Sequence, residues 1–112
     1  MRLNEIKDKL NLKVLTGEMK PETDVTRGYV SDLMSDVIAH GIEGDIWITY
    51  QVHVNVVAIA LMKNIAAVIL IQNRELIPSA AEKAEKEGLT VFSSSESAFE
   101  IAGKLYQLGI PG

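Results

Sequence analysis

Residues 54–71 read Val54-Asn55-Val56-Val57-Ala58-Ile59-Ala60-Leu61-Met62-Lys63-Asn64-Ile65-Ala66-Ala67-Val68-Ile69-Leu70-Ile71. The run is about as long as a bilayer crossing. Lys63-Asn64 at its middle argues against one, because a charge at bilayer depth costs about 3 kcal/mol or more. The reading that fits is a buried helix, a tight turn and a buried strand. His53 to Lys63 is a helix of about a dozen residues, apolar on nearly all sides and so expected to pack deeply. The unbroken apolar run from Ile65 to Ile71 predicts a strand covered on both faces, the mark of a parallel sheet.

Flanking segments repeat the alternation. Upstream, Ile46-Trp47-Ile48-Thr49-Tyr50 is rich in β-branched and aromatic residues and predicts a strand. Its period of two puts Trp47 and Thr49 on one face, and Ile46, Ile48 and Tyr50 on the other. Downstream, Gln72-Asn73-Arg74 breaks the apolar run, and Asn73 suits a left-handed turn. Ser79 with Glu82 has capping-box spacing, Ala80, Ala81 and Ala84 face inward, and Gly88 ends that helix. Leu89 to Phe92 predicts another strand, followed by the polar turn Ser93-Ser94-Ser95. Ser97 with Glu100 opens a closing helix that carries Phe99, Ile101, Ala102, Leu105 and Leu108 and stops at Gly109 and Pro111. Strand–helix alternation from residue 45 onward implies right-handed crossovers and a mainly parallel sheet.

The first forty residues add to that unit. Leu3, Ile6 and Leu10 mark an amphipathic helix over residues 2–10. Leu12 to Leu15 predicts a brief strand closed by Thr16-Gly17, and Glu18 to Asp24, with Pro21, a loop. Val25 to Val30 predicts a further strand. Ser31-Asp32 offers an N-cap to a helix carrying Leu33, Met34, Val37 and Ile38, which Gly41 ends near His40. The fold class expected is α/β: one domain over residues 1–112, with a mainly parallel sheet of four to five strands and helices on both faces.

Composition agrees. The chain has 112 residues, 47% apolar and 23% charged, and a chain this long buries roughly two thirds of its unfolded surface. It has no cysteine, which excludes disulfides, thiolate metal sites and a cysteine nucleophile. Fifteen acidic against 11 basic residues give a net charge of -4, so no basic field for nucleic acid is expected. Residues 1–9 lack the apolar core of a secretory signal, which points to the cytoplasm.

Standard catalytic motifs are missing. The chain has no phosphate-binding glycine loop, no G-x-S-x-G elbow and no H-E-x-x-H pair. A non-enzymatic module without a cofactor is therefore expected. Ligands of parallel α/β sheets bind beyond the carboxyl ends of the strands. Here those ends carry Gln51, His53 and Asn55, then Gln72, Asn73 and Arg74, then Ser93 and Ser94. Helix N-termini there suit an anion, and Arg74 adds a fork for phosphate or carboxylate. The plain alternative is that these residues fill turns and caps. His53 has a structural reading at the helix start, and Asn55 must find partners if the helix is buried all round. Asp32, Asp36 and His40, spaced by four, would share a helix face and offer three metal ligands; a solvated face is the alternative. A small enzyme would use His53 with Arg74 or Asp45.

The order of elements resembles the DRTGG domain family over roughly residues 12–108. Gly28 to Val37 looks like its N-terminal strand-to-helix segment, and Gly44 to Thr49 precedes the apolar helix. Ile65 to Ile71 looks like the strand leading to the family's Gly-Gly turn, Gly88 to Ser94 like its last strand, and Ser97 to Leu105 like its closing helix. The chain departs from the namesake positions. Tyr50-Gln51-Val52-His53 stands where many members carry an Asp-Arg turn, and Ile71-Gln72-Asn73 where they carry Thr-Gly-Gly. The resemblance implies a fold like the N-terminal domain of HPr kinase/phosphorylase. It also implies a regulatory or accessory role: homodimerisation, sensing of a nucleotide or phosphorylated metabolite, or docking on a metabolic enzyme. No nucleic-acid or membrane partner is implied.

Overall fold

β3 (Asp45–Thr49) is buried along its whole length and lies inside a five-stranded sheet of order β1-β5-β4-β3-β2. The other strands are β1 (Lys13–Val14), β2 (Arg27–Val30), β4 (Ala67–Leu70) and β5 (Val91–Ser93). β2 to β5 run parallel, and β1 joins β5 antiparallel. The helices are α1 (Leu3–Leu10), α2 (Met34–His40), α3 (Val54–Met62), α4 (Pro78–Glu87) and α5 (Ala98–Gln107). This computed structural model describes residues 1–16 and 19–112, so the expected turn at Gly17 and loop start at Glu18 lie outside the described residues.

Period-two alternation in β3 divides the core. Ile46 and Ile48 pack with Leu3, Ile6, Ile101 and Leu105 of α1 and α5. Trp47 packs with Val37 of α2, Val56 and Val57 of α3, and Ala80 and Ala84 of α4. Each step from β2 through β5 moves one strand in the same direction. Right-handed crossovers therefore place α2, α3 and α4 on one face, and α5 returns over the other. The Trp47 indole N–H donates to Ser31 O at 2.8 Å, which satisfies its polar end inside the core.

Several local expectations are corrected. α3 buries Val56, Val57, Ile59 and Ala60 but exposes Asn55, Ala58 and Met62, the last at 59%. It lies in a single helical layer, so the sheet covers only one side of it. Asn55 consequently faces outward and needs no buried partner. Ser31 and Asp32 do not cap α2, whose N-cap is Leu33. Ser31 Oγ accepts from the Leu33 N–H at 3.2 Å instead, and Asp32 turns toward β3. Ser79 does not cap α4, because Pro78 already occupies its first turn after Ile77; proline's fixed φ suits that position. Ser97 does cap α5, its Oγ accepting from the Glu100 N–H. The bend after β4 is left-handed as expected, at Gln72 and Asn73 (φ 53° and 57°), and the tight turn after α3 is left-handed too, at Asn64 (φ 53°).

Two polar devices fix the sheet. Thr16 Oγ1 donates to Leu89 O at 2.7 Å and accepts from the Val91 N–H at 3.1 Å, pinning the strand-1 side to β5. At the amino end of β3, the fully buried Asp45 takes two hydrogen bonds from Arg27, at 2.8 and 2.6 Å, and one from the Ile42 N–H at 2.9 Å. Arg27 also donates to His40 O, so β2, β3 and the end of α2 are tied at one point. Hydrogen bonding to Asp45 raises the Arg27 pKa above its ordinary value.

Arg27→Met is expected to destabilise the domain by about 3 kcal/mol, because it leaves a buried carboxylate without its cation. A shift of the urea midpoint worth less than about 1 kcal/mol would contradict that reading. A second expectation concerns acid. The Tyr29 hydroxyl donates to Asp36 at 2.8 Å and holds that carboxylate below its usual range. A group whose folded pKa is lowered stabilises the protein above its unfolded pKa, and loses that contribution as pH falls through the folded value. Tyr29→Phe should therefore flatten the acid-side fall in the urea midpoint. Equal acid-side slopes in the two proteins would show that the bond is without effect.

Candidate functional site

Because β2 to β5 are parallel, their carboxyl ends share one edge of the sheet. The chain leaves β4 toward α4 on one face and leaves β5 toward α5 on the other. Adjacent connections that diverge in this way mark the place where a crevice is expected. Here the left-handed bend at Gln72 and Asn73 aims two amides across it. The Gln72 N–H donates to Glu96 O at 3.0 Å, and the Asn73 N–H to Ser94 O at 2.7 Å. The Ser94 N–H donates to Leu70 O, and Ser94 Oγ accepts from the Glu96 N–H. Gln72, Asn73 and Ser94 thus stitch the two loops together. Ser93 differs: it is 6% exposed, and its hydroxyl has no partner among the described residues.

The end of β3 is held from its other neighbour. Asp32 Oδ1 accepts from the Thr49 hydroxyl at 2.8 Å and from the Tyr50 N–H at 2.7 Å. The Gln51 side chain donates to Asp32 O, and its N–H to Thr49 Oγ1. Gln51 therefore positions the loop. The Tyr50 ring, exposed by this arrangement, carries the Arg74 guanidinium 4.0 Å above its centroid. No carboxylate pairs with Arg74 among the described residues. A guanidinium on an aromatic face keeps its outer N–H groups available. His53 is the N-cap residue of α3, exposed and without a side-chain cap bond. The structural role considered for it is not used, and the first-turn amides of α3 remain uncapped by any side chain.

The eight residues expected at this edge divide in two. Gln51, Gln72, Asn73 and Ser94 are engaged in building the loops. His53, Asn55, Arg74 and Ser93 keep side-chain polar groups without partners among the described residues. Tyr50, which positions Arg74, was not among the eight; its place at the end of a half-aromatic strand was the available signal. Asp45 and His53 are not brought together, because Asp45 opens β3 and His53 lies beyond its carboxyl end, with the strand between them spanning about 13 Å. Asp32 is likewise separated from Asp36 and His40. Asp36 lies 3.0 Å from His40 Nδ1, whereas Asp32 precedes the helix and bonds to β3. Among the described residues, no three His, Asp or Glu side chains stand close enough to hold a metal ion.

Two other concavities are notable. A cleft of about 440 Å³ lies at the amino ends of the strands. An apolar groove of about 320 Å³ runs between β2, α5 and the C-terminal residues, where the Gly28 N–H donates to Pro111 O at 2.8 Å. Val30 and Tyr106 line this groove and are exposed, Tyr106 at 73%. No helix of the described residues is long and apolar enough to cross a membrane.

No family model and no curated protein matches the chain. A solved structure does match: the CBS and DRTGG domains of the regulatory region of Clostridium perfringens pyrophosphatase, in complex with the activator diadenosine tetraphosphate. The TM-score is 0.75 at 18% identity, over 95% of this chain and 46% of that one. The chain spans about half the length of that structure. The five-stranded, mostly parallel sheet with helices on both faces is a DRTGG-like fold.

Proposed function

We propose that residues 1–112 form one regulatory module of the cytoplasm that senses a small anionic ligand, a nucleotide or phosphorylated metabolite, and performs no catalysis. The observation that carries this reading is Arg74, a guanidinium stacked on Tyr50 without a carboxylate partner among the described residues. It stands at the sheet edge where α/β folds take ligands. The uncapped start of α3 adds partial positive charge at the same edge. The exposed Tyr50 ring offers a surface for a base, and Ser93 adds a hydroxyl. The regulatory domains of similar fold were solved with a dinucleotide polyphosphate activator, which supports the ligand class.

The module acts as a homodimer. Val30 and Tyr106 line the apolar groove, and Phe99, seven residues before Tyr106 on the same face of α5, is 85% exposed. Large apolar side chains grouped in this way mark an interaction surface. A second copy covers it in this reading; docking on a metabolic enzyme is the alternative occupant.

Thermal shift against adenine nucleotides, diadenosine tetraphosphate and phosphorylated metabolites tests the ligand. A ligand at 100 times its Kd adds about 2.7 kcal/mol, about ten degrees in Tm for a domain this size. The shift should vanish in Arg74→Ala. A panel without any shift, or a shift that survives Arg74→Ala, would contradict the proposal. Light scattering tests the dimer: Tyr106→Glu should yield monomers of unchanged circular dichroism. A wild-type monomer would favour the enzyme-docking alternative.

A further inference from the structure

α5 buries Ile101 and Leu105 against the sheet and leaves its outer face bare. At about 100° of turn per residue, that face carries Phe99, Gly103 and Tyr106, and all three are exposed. Gly103 stands in the middle. Phe99 and Tyr106 flank it on one side, where Ala102 and Tyr106 form one wall of the apolar groove against Val30. Glu100 and Lys104 flank it on the other side.

Packing within one chain does not call for a glycine here. A Cβ at Gly103 meets no atom within 4 Å among the described residues, and glycine inside a helix weakens it relative to alanine. What glycine does permit is close approach of another backbone. Glu100 is a second such case. Lys104 follows it at the four-residue spacing of a helical ion pair, yet the Lys104 ammonium bonds to Glu96 instead. The Glu100 carboxylate is left without a cation among the described residues.

These features are arranged symmetrically about the midpoint between Ala102 and Gly103. Phe99 and Tyr106 stand equally far from it on one flank, and Glu100 and Lys104 at nearly equal distances on the other. A two-fold axis through that point lays a second α5 antiparallel to the first, with like flanks meeting. Phe99 then meets the partner's Tyr106 at the mouth of the partner's groove, and Glu100 faces the partner's Lys104. Each contact is made twice, and Gly103 lies at the crossing, where the helices come closest. Such a self-complementary contact closes at two copies. The match of aromatic to aromatic and of acid to base singles out a second copy of this chain as the occupant.

We infer that the dimer is an antiparallel pair of α5 helices crossing at Gly103; this rests on the homodimer reading above and assigns its interface. Sedimentation equilibrium of the full chain provides the test. Gly103→Arg enters space that is open in the single chain, so circular dichroism and Tm should be kept while dimer affinity falls about thirtyfold or more. Glu100→Lys sets ammonium against ammonium twice and should weaken the dimer about tenfold, more so at low salt. The chain has no cysteine of its own, so Gly103→Cys should give a covalent dimer on mild oxidation, and Ser35→Cys, on the exposed side of α2, should not. A dimer of unchanged affinity in Gly103→Arg, or one that fails to cross-link at residue 103, would overturn the α5 pairing and leave the homodimer reading standing. A wild-type monomer would overturn both.

Discussion

A carboxylate with no exposed surface, Asp45, is the constraint on which the rest of the sheet depends. Burying it is tolerable only because Arg27 meets it with two hydrogen bonds and Ile42 with a third. That pairing sets β2 against β3 with Arg27 opposite Asp45. A one-residue slip would turn Trp47 and Ile48 to the wrong faces and separate the ion pair at once. At the other end of β3, Asp32 holds the Thr49 hydroxyl and the Tyr50 amide. β3 is therefore fastened to its neighbour at both ends by a carboxylate, and its middle is fixed by packing.

These fastenings determine what the two ends of the sheet present. At the carboxyl edge, the Asp32 contact aims Tyr50, and Tyr50 carries Arg74. The left-handed bend at Gln72 and Asn73 closes the crevice between β4 and β5. The surface proposed for recognition is consequently a ledge around Arg74 and His53. Such a ledge suits a ligand that binds by charge and stacking, as a nucleotide does, better than one enclosed by a deep cavity. At the amino edge, α3 and α4 end beside Asp24, Glu43 and Glu87.

Much of this was legible in the sequence, for physical reasons. An apolar run interrupted by Lys63-Asn64 has few solutions besides helix, turn and buried strand, and the strand–helix order then dictates parallel neighbours. The even–odd division of Ile46, Ile48 and Trp47 follows directly from strand geometry. Long-range partners of polar residues were not legible. Asp45 gave no sign of an ion pair, because Arg27, eighteen positions earlier, has no local relation to it. Thr16 looked like the end of a strand, although its hydroxyl bridges two backbone groups more than seventy residues away. Ser31-Asp32 and Ser79 have the composition of caps, but a tertiary bond from Asp32 and a neighbouring proline at Pro78 displaced them. The candidate site was found as a region and missed in detail. Gln51, Gln72, Asn73 and Ser94 could not be distinguished from binding residues without knowing that their groups were engaged.

The most direct measurement is a backbone amide NMR titration of the full chain with diadenosine tetraphosphate. Binding at the ledge predicts saturable shifts concentrated at residues 50–55, 72–74 and 93–95, with the amides of residues 43–44 and 87–90 unmoved. An unchanged spectrum, or shifts confined to the amino-end cleft, would contradict the assignment of the carboxyl edge as the sensing surface.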